Sequence, residues 1–242
     1  MLLQRLLIYM MKMMNFSKTF PVSFKAEFVF TLTADGLDYS FTLTNLSKVQ
    51  MPYGVCNHIA FKAPFTNGGS GANVRLQVPI GDKWELSDTC IPTEKTLPLT
   101  RYDMMYKEGD MVPVLQDIDN DLYTAEMNEL DGKPFYGVIV TDKVTGVRVC
   151  YEVCDVMKYW IMWNDHGMKE FFCPEPMSWN IDAPNLSGDP AVTGYTELAP
   201  GESKTVTERN FCKIKKVYRD MFFQRNGSAI NDSLRFLFAA HA

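Results

Sequence analysis

Between residues 24 and 32 every second side chain is apolar: Phe24, Ala26, Phe28, Phe30 and Leu32, with Lys25, Glu27 and Thr31 interleaved. A period of two belongs to a strand with one face in a core. Ala34, Asp35 and Gly36 interrupt it with turn chemistry. It resumes as Leu37, Tyr39, Phe41 and Leu43 against Asp38, Ser40, Thr42 and Thr44, so the two runs predict an antiparallel hairpin. A second hairpin is predicted from residues 135–141, a turn over 142–146, and Val147, Val149, Tyr151 and Val153 alternating with Arg148 and Glu152. Residues 159–163 read as a short aromatic strand ended by Asn164-Asp165-His166-Gly167, and residues 171–173 as another. A turn at 198–202 leads into a polar alternating strand over 203–211. Helical periodicity is confined to the first fourteen residues and to 217–225. Short strands punctuated by Gly and Pro predict an all-β fold, an antiparallel sandwich or barrel.

Composition narrows the function. At 242 residues, with 46% hydrophobic and 22% charged side chains, the chain can bury the core of one large domain and is not disordered. A net charge of −5 without a basic tract leaves little for a phosphate backbone to bind, which excludes nucleic acid as a partner. The opening MLLQRLLIYMMKMM is broken by Arg5 and Lys12 and is too short to span a bilayer, so no membrane role is expected. Six cysteines at 56, 90, 150, 154, 173 and 212 form neither a disulfide scaffold nor a paired metal-spaced motif, as expected of reduced thiols in a cytoplasmic protein. NGGSGA at 67–72 lacks the Lys-Ser/Thr of a phosphate loop and reads as a loop tip.

Candidate chemistry lies in three stretches. In FFCPEPMSWNIDAPN, residues 171–185, Pro174 and Pro176 fix the backbone on both sides of Glu175 where a strand ends or lies at an edge. Nearby Phe172 and Trp179 lower the polarity around that carboxylate, which raises its pKa and makes it a better base. A solvated Pro-Glu-Pro loop is the competing account. In MPYGVCNHIAF, residues 51–61, His58 follows Asn57 among apolar neighbours, either as a partly buried structural imidazole or as an acid suited to work near neutrality. His166 sits in a tight turn and His241 in the tail. Asp121 belongs to the acidic LQDIDNDLYTAE, which reads as a solvated turn and lacks the Gly and Glu spacing of a calcium loop.

These stretches, with FTLTADGLDYSFTLTN, VPIGDKWEL, LDGKPFYGVIVTDKVTGVRVCYE and GYTELAPGES, resemble in type and order the aldose 1-epimerase (galactose mutarotase) family, and in particular its Gram-positive members. The resemblance implies a galactose mutarotase-like supersandwich over residues 20–217, between a non-matching segment at 1–19 and a non-matching tail at 218–242. It implies Glu175 as catalytic base, His58 as general acid, and Asp121, Asn57 and Trp179 as substrate-binding residues. The implied reaction interconverts the α and β anomers of an aldohexose such as galactose or glucose, with no metal or organic cofactor. Acid and base are then expected to flank the sugar across a substrate-sized gap.

The family carries roughly a third more chain at the N-terminus, including a histidine and an arginine beside the sugar that have no matching context here. The expectation is therefore an N-terminally truncated sandwich whose exposed edges favour a homo-oligomer. Two other functions stay open: a non-catalytic carbohydrate-binding or regulatory homologue, and a hexose-phosphate epimerase. The last would require Arg75, Arg101 and Arg148 to converge on a phosphate.

Overall fold

The computed structural model describes residues 3–10 and 20–214. Strand β1 (Leu3–Met10) precedes β2 (Phe24–Leu32), β3 (Gly36–Asn45), β4 (Met51–Pro52), β5 (Phe61–Lys62) and β6 (Val74–Gln77). Then come β7 (Ile80–Leu86), β8 (Pro92–Leu97), helix α1 (Arg101–Glu108), β9 (Asp121–Ala125), β10 (Asn128–Leu130) and β11 (Lys133–Phe135). The chain continues through β12 (Gly137–Asp142), β13 (Val147–Val153), β14 (Tyr159–Trp163), β15 (Phe171–Met177), β16 (Glu197–Leu198) and β17 (Ser203–Ile214). A seven-stranded sheet, ordered β1-β2-β3-β17-β13-β12-β6, faces a six-stranded sheet, ordered β5-β15-β14-β9-β7-β8, in an antiparallel sandwich.

The core between the sheets follows from alternation. Val138, Val140, Tyr151, Val153 and Val206 from the larger sheet meet Tyr123, Trp160, Met162 and Phe172 from the smaller, all of them buried. Each such side chain contributes about 1.5–3 kcal/mol by leaving water. The opposite parity of the smaller sheet builds a separate outer cluster of Trp84, Leu122, Tyr159 and Met177. The six-stranded sheet thus has a packed inner face and a partly apolar outer face.

Both predicted hairpins form, with Phe28 opposite Phe41 and Val140 opposite Val149. The first is only half covered: Phe30 is 38% exposed and Phe28 and Phe41 are partly exposed, their rings 4.7 Å apart. Two expectations are corrected. Residues 3–10 are not helical but form an edge strand, Leu3 opposite Leu32 through Met10 opposite Lys25, because the free ladder of β2 overrides a local period. Helix α1 was not expected. Its eight residues are too short to show a period, but Thr100 and Asp103 form a reciprocal capping box and Gly109, at φ 72°, closes its end. The helical reading of 217–225 and the tail at 218–242 lie outside the described residues.

Candidate active site

The strand containing Glu175 does not stop at the prolines. β15 runs through them to Met177, paired on one side with β14, so that Ile161 lies opposite Glu175 and Trp163 opposite Cys173. A residue's N–H and C=O point to the same side of a strand, and the Pro176 carbonyl accepts from the Asn57 N–H at 3.2 Å. The missing proline N–H therefore faces the sheet edge, where no strand needs it. Alternation puts Cys173 and Glu175 on the outer face with Ile161 and Trp163.

Residues 55–58 run along that edge. Cys56 bridges Met177, and Ser178 donates from its N–H to the Val55 carbonyl at 2.9 Å. This extended path turns neighbouring side chains to opposite faces. Asn57 points inward, where its amide donates to Glu208 Oε2 at 2.5 Å and to Tyr151 Oη at 3.1 Å. His58 points outward and sets Nε2 3.3 Å from Glu175 Oε1. The histidine side chain is 62% exposed and the glutamate side chain 9%, so one partner reaches solvent while the other is rooted in the sheet. Trp163 steadies the imidazole edge-on, with ring centroids 5.8 Å apart at 80°.

Burial raises the Glu175 pKa above 4.5, and the charge of His58 pulls it back. Burial, reinforced by the Glu175 charge, pushes the Cys173 thiol up to about 12. One donor atom each from His58, Cys173 and Glu175 lies within 4.8 Å of the others, the one metal-capable cluster among the described residues. A carboxylate whose pKa burial raises and an exposed imidazole 3.3 Å away are chemically able to move protons as a pair.

The remaining expected site residues make contacts of their own. Asp121 lies opposite Met162 on the inner parity of β9 and pairs with Lys83 at 2.9 Å. Lys83 also reaches Asp103 at 3.0 Å, and Tyr123 donates to the same carboxylate at 2.5 Å. Burial raises the Asp121 pKa against the pull of Lys83. Trp179 stacks on Tyr195, centroids 5.7 Å apart and 5° from parallel, and lies over Gly54. The Asn57 side chain is committed to Glu208. The expected substrate-sized gap is also absent, since His58 and Glu175 lie 3.3 Å apart.

The three arginines do not converge. Arg75 donates to the carbonyls of Ala72 and Val74, Arg101 pairs with Glu108 at 2.6 Å, and Arg148 with Asp131 at 2.8 Å. His166 is the exposed turn histidine expected, 2.8 Å from Asp117. Trp163 and Cys173 were missed. Both become visible once the strand is carried through the prolines, because the β14–β15 register then puts them beside Glu175.

The aldose 1-epimerase family model matches residues 6–209, and so begins inside β1, within the segment at 1–19 that sequence reading had set apart. Among solved structures, the chain is similar to a galactose mutarotase-like protein from Clostridium acetobutylicum, with 28% identity and a TM-score of 0.82, over 88% of this chain and 62% of that one. It is similar to a galactose mutarotase-like protein from Lactobacillus casei, with 16% identity and a TM-score of 0.65, over 87% of this chain and 70% of that one. A galactose 1-epimerase from Lactobacillus acidophilus shares 13% identity and a TM-score of 0.58, over 88% of this chain and 63% of that one. The chain thus spans less than two thirds of the Clostridium protein's length.

Proposed function

The chain belongs to the aldose 1-epimerase family, and from that premise we propose that it interconverts the α and β anomers of an aldohexose, with Glu175 as base and His58 as acid. One observation carries the reading: the 3.3 Å contact of His58 Nε2 with Glu175 Oε1 on an open sheet face. Ring opening removes a proton from the anomeric hydroxyl and delivers one to the ring oxygen. Both oxygens are bonded to the same carbon, so the two groups must reach atoms separated by that one carbon and need no pyranose-wide gap between them. An incoming sugar replaces one hydrogen bond with two, its hydroxyl donating to Glu175 and its ring oxygen accepting from protonated His58. Breaking the direct contact costs little because His58 is largely exposed. After rotation about the bond from C1 to C2, the same groups with roles reversed close the other anomer.

The substrate in this reading is a neutral sugar rather than a phosphate ester. Among the described residues, Arg101, Arg148 and Arg209 are held by carboxylates and Arg75 by main-chain carbonyls, so none of these guanidinium groups is engaged with the pair. The protein is read as a cytoplasmic enzyme of hexose metabolism, in keeping with six free cysteines. Polarimetry of freshly dissolved α-galactose and α-glucose, with chelator present, tests it. The protein should speed the approach to equilibrium, and Glu175→Gln should slow it by about a hundredfold to ten-thousandfold. A Glu175→Gln variant as fast as the parent overturns the assignment; sugar binding without any acceleration favours a non-catalytic binder.

A further inference from the structure

We propose that His58, Cys173 and Glu175 form a binding site for a single zinc ion. The donors are an imidazole nitrogen, a thiol sulfur and a carboxylate oxygen, all within 4.8 Å of one another. That mixture suits a borderline-soft divalent ion; magnesium and calcium, which require several oxygens, would find one carboxylate here. Zinc bonds of about 2.0–2.3 Å set tetrahedral edges of roughly 3.3–3.8 Å between donor atoms. The 3.3 Å separation of His58 Nε2 and Glu175 Oε1 is such an edge.

The frame is preorganised where it must be and adjustable where it can be. Cys173 and Glu175 are alternate residues of one strand, 0% and 7% exposed, and fixed by pairing with β14. His58 is exposed on the flanking segment, so a rotamer change can draw its nitrogen in by about an ångström to complete the set. Its open side leaves a fourth position for water. Binding the metal releases the thiol proton to solvent and forms a Zn–S bond, with no redox change.

The site is independent of the proposed function, but its consequence rests on that reading. Zinc would occupy the lone pair of the base and the ring nitrogen of the acid together, and so inhibit epimerisation. The metal would then act as a brake rather than a cofactor.

The test is titration of the chelator-treated full chain with Zn²⁺ and, separately, Co²⁺ alone, without sugar. One equivalent of Zn²⁺ should bind, and Co²⁺ should give the visible bands of a four-coordinate site with a near-ultraviolet thiolate charge-transfer band. His58→Ala, an exposed substitution, should weaken Zn²⁺ binding at least about tenfold, and Cys173→Ser should abolish the charge-transfer band. The exposed Cys90→Ser should change neither. Unaltered affinity in His58→Ala, or no thiolate band with Co²⁺, overturns the site. Metal binding without epimerase activity refutes only the proposed function, and metal-free activity unaffected by Zn²⁺ refutes only the brake.

Discussion

Asn57 and His58 are consecutive residues that serve opposite faces of one sheet. The amide of Asn57 donates to Glu208 Oε2 at 2.5 Å in the interior, while the ring of His58 stands 3.3 Å from Glu175 Oε1 outside. The segment therefore acts as a rivet: its inward residue fixes the backbone that presents the outward one. The Asn57 N–H to the Pro176 carbonyl, at 3.2 Å, ties the same backbone to the strand of the base.

Asn57→Ala should accordingly cost stability more than it costs sugar affinity. It strips a hydrogen bond from a carboxylate that is 4% exposed, whose pKa burial already raises and whose other oxygen is unpartnered. A loss of about 1–3 kcal/mol is expected in chemical denaturation. In polarimetry KM should stay within about twofold while kcat falls through the displaced His58. A raised KM at unchanged stability would instead make Asn57 a sugar ligand.

Asp121→Asn makes the complementary case. Asp121 faces Lys83 from the inner parity of β9, so the neutral amide should leave KM unaltered. Lys83 keeps Asp103 at 3.0 Å, and the change should lower stability by no more than about 1–2 kcal/mol. A large rise in KM would return Asp121 to the substrate.

Asp103 should make the fold sensitive to acid. Burial pushes its carboxyl up, but hydrogen bonds from Thr100, Tyr123 and Lys83 outweigh burial and bring it from 3.8 to about 2. A depressed carboxylate contributes stability above its unfolded pKa and loses it as pH falls through the folded one. The stability difference between the parent and Asp103→Asn should thus be full above about pH 4 and shrink as pH falls toward about 2, as followed by urea unfolding. A difference constant across that range would contradict the assignment.

Much of this architecture was legible in the chain because period-two patterning is a local signal. The hairpin joining Phe28 to Phe41 stands where alternation put it, and the strand Tyr159–Trp163 where a short aromatic run bounded by a turn put it. What escaped depended on register or on tertiary contacts. Pro174 and Pro176 read either as the end of a strand or as an edge position; they sit on an edge whose partner segment uses only their carbonyl side, so β15 continues past residue 173 and keeps Cys173 in register beside Glu175. Asp121 carries the right chemistry in the right order, but one residue of parity sends it to the other face. Each of His58 and Glu175 stood out within its own motif, but their pairing came only from the family resemblance. Their contact distance could not be read, since it depends on how two segments more than a hundred residues apart lie side by side.

Gly54→Ala should disturb the site from a distance. A Cβ at position 54 would collide with Cε2 and Nε1 of Trp179, and the indole is stacked on Tyr195. Relief has to come from the 53–58 segment, at a cost of about 1–3 kcal/mol typical of overpacking. Calorimetry should show the loss of stability, and kcat should fall with it. Unchanged melting would mean that Trp179 moves freely and is not part of the support.

The pH dependence of catalysis gives the most direct reading of the pair. Burial raises Glu175 above 4.5 and the His58 charge opposes that rise, so removing the charge leaves burial unopposed. In metal-free protein His58→Asn should therefore do two things: lower kcat/KM through loss of the acid, and move the remaining acid limb to higher pH, because the base now gives up its proton less readily. Carbon-13 titration of the Glu175 carboxyl, assigned by its absence in Glu175→Gln, follows the same group without turnover and should shift in the same direction. An acid limb and a carboxyl resonance that both ignore His58→Asn would mean that the two groups do not share a field in solution, and the pair would then have no claim to act as one catalytic unit.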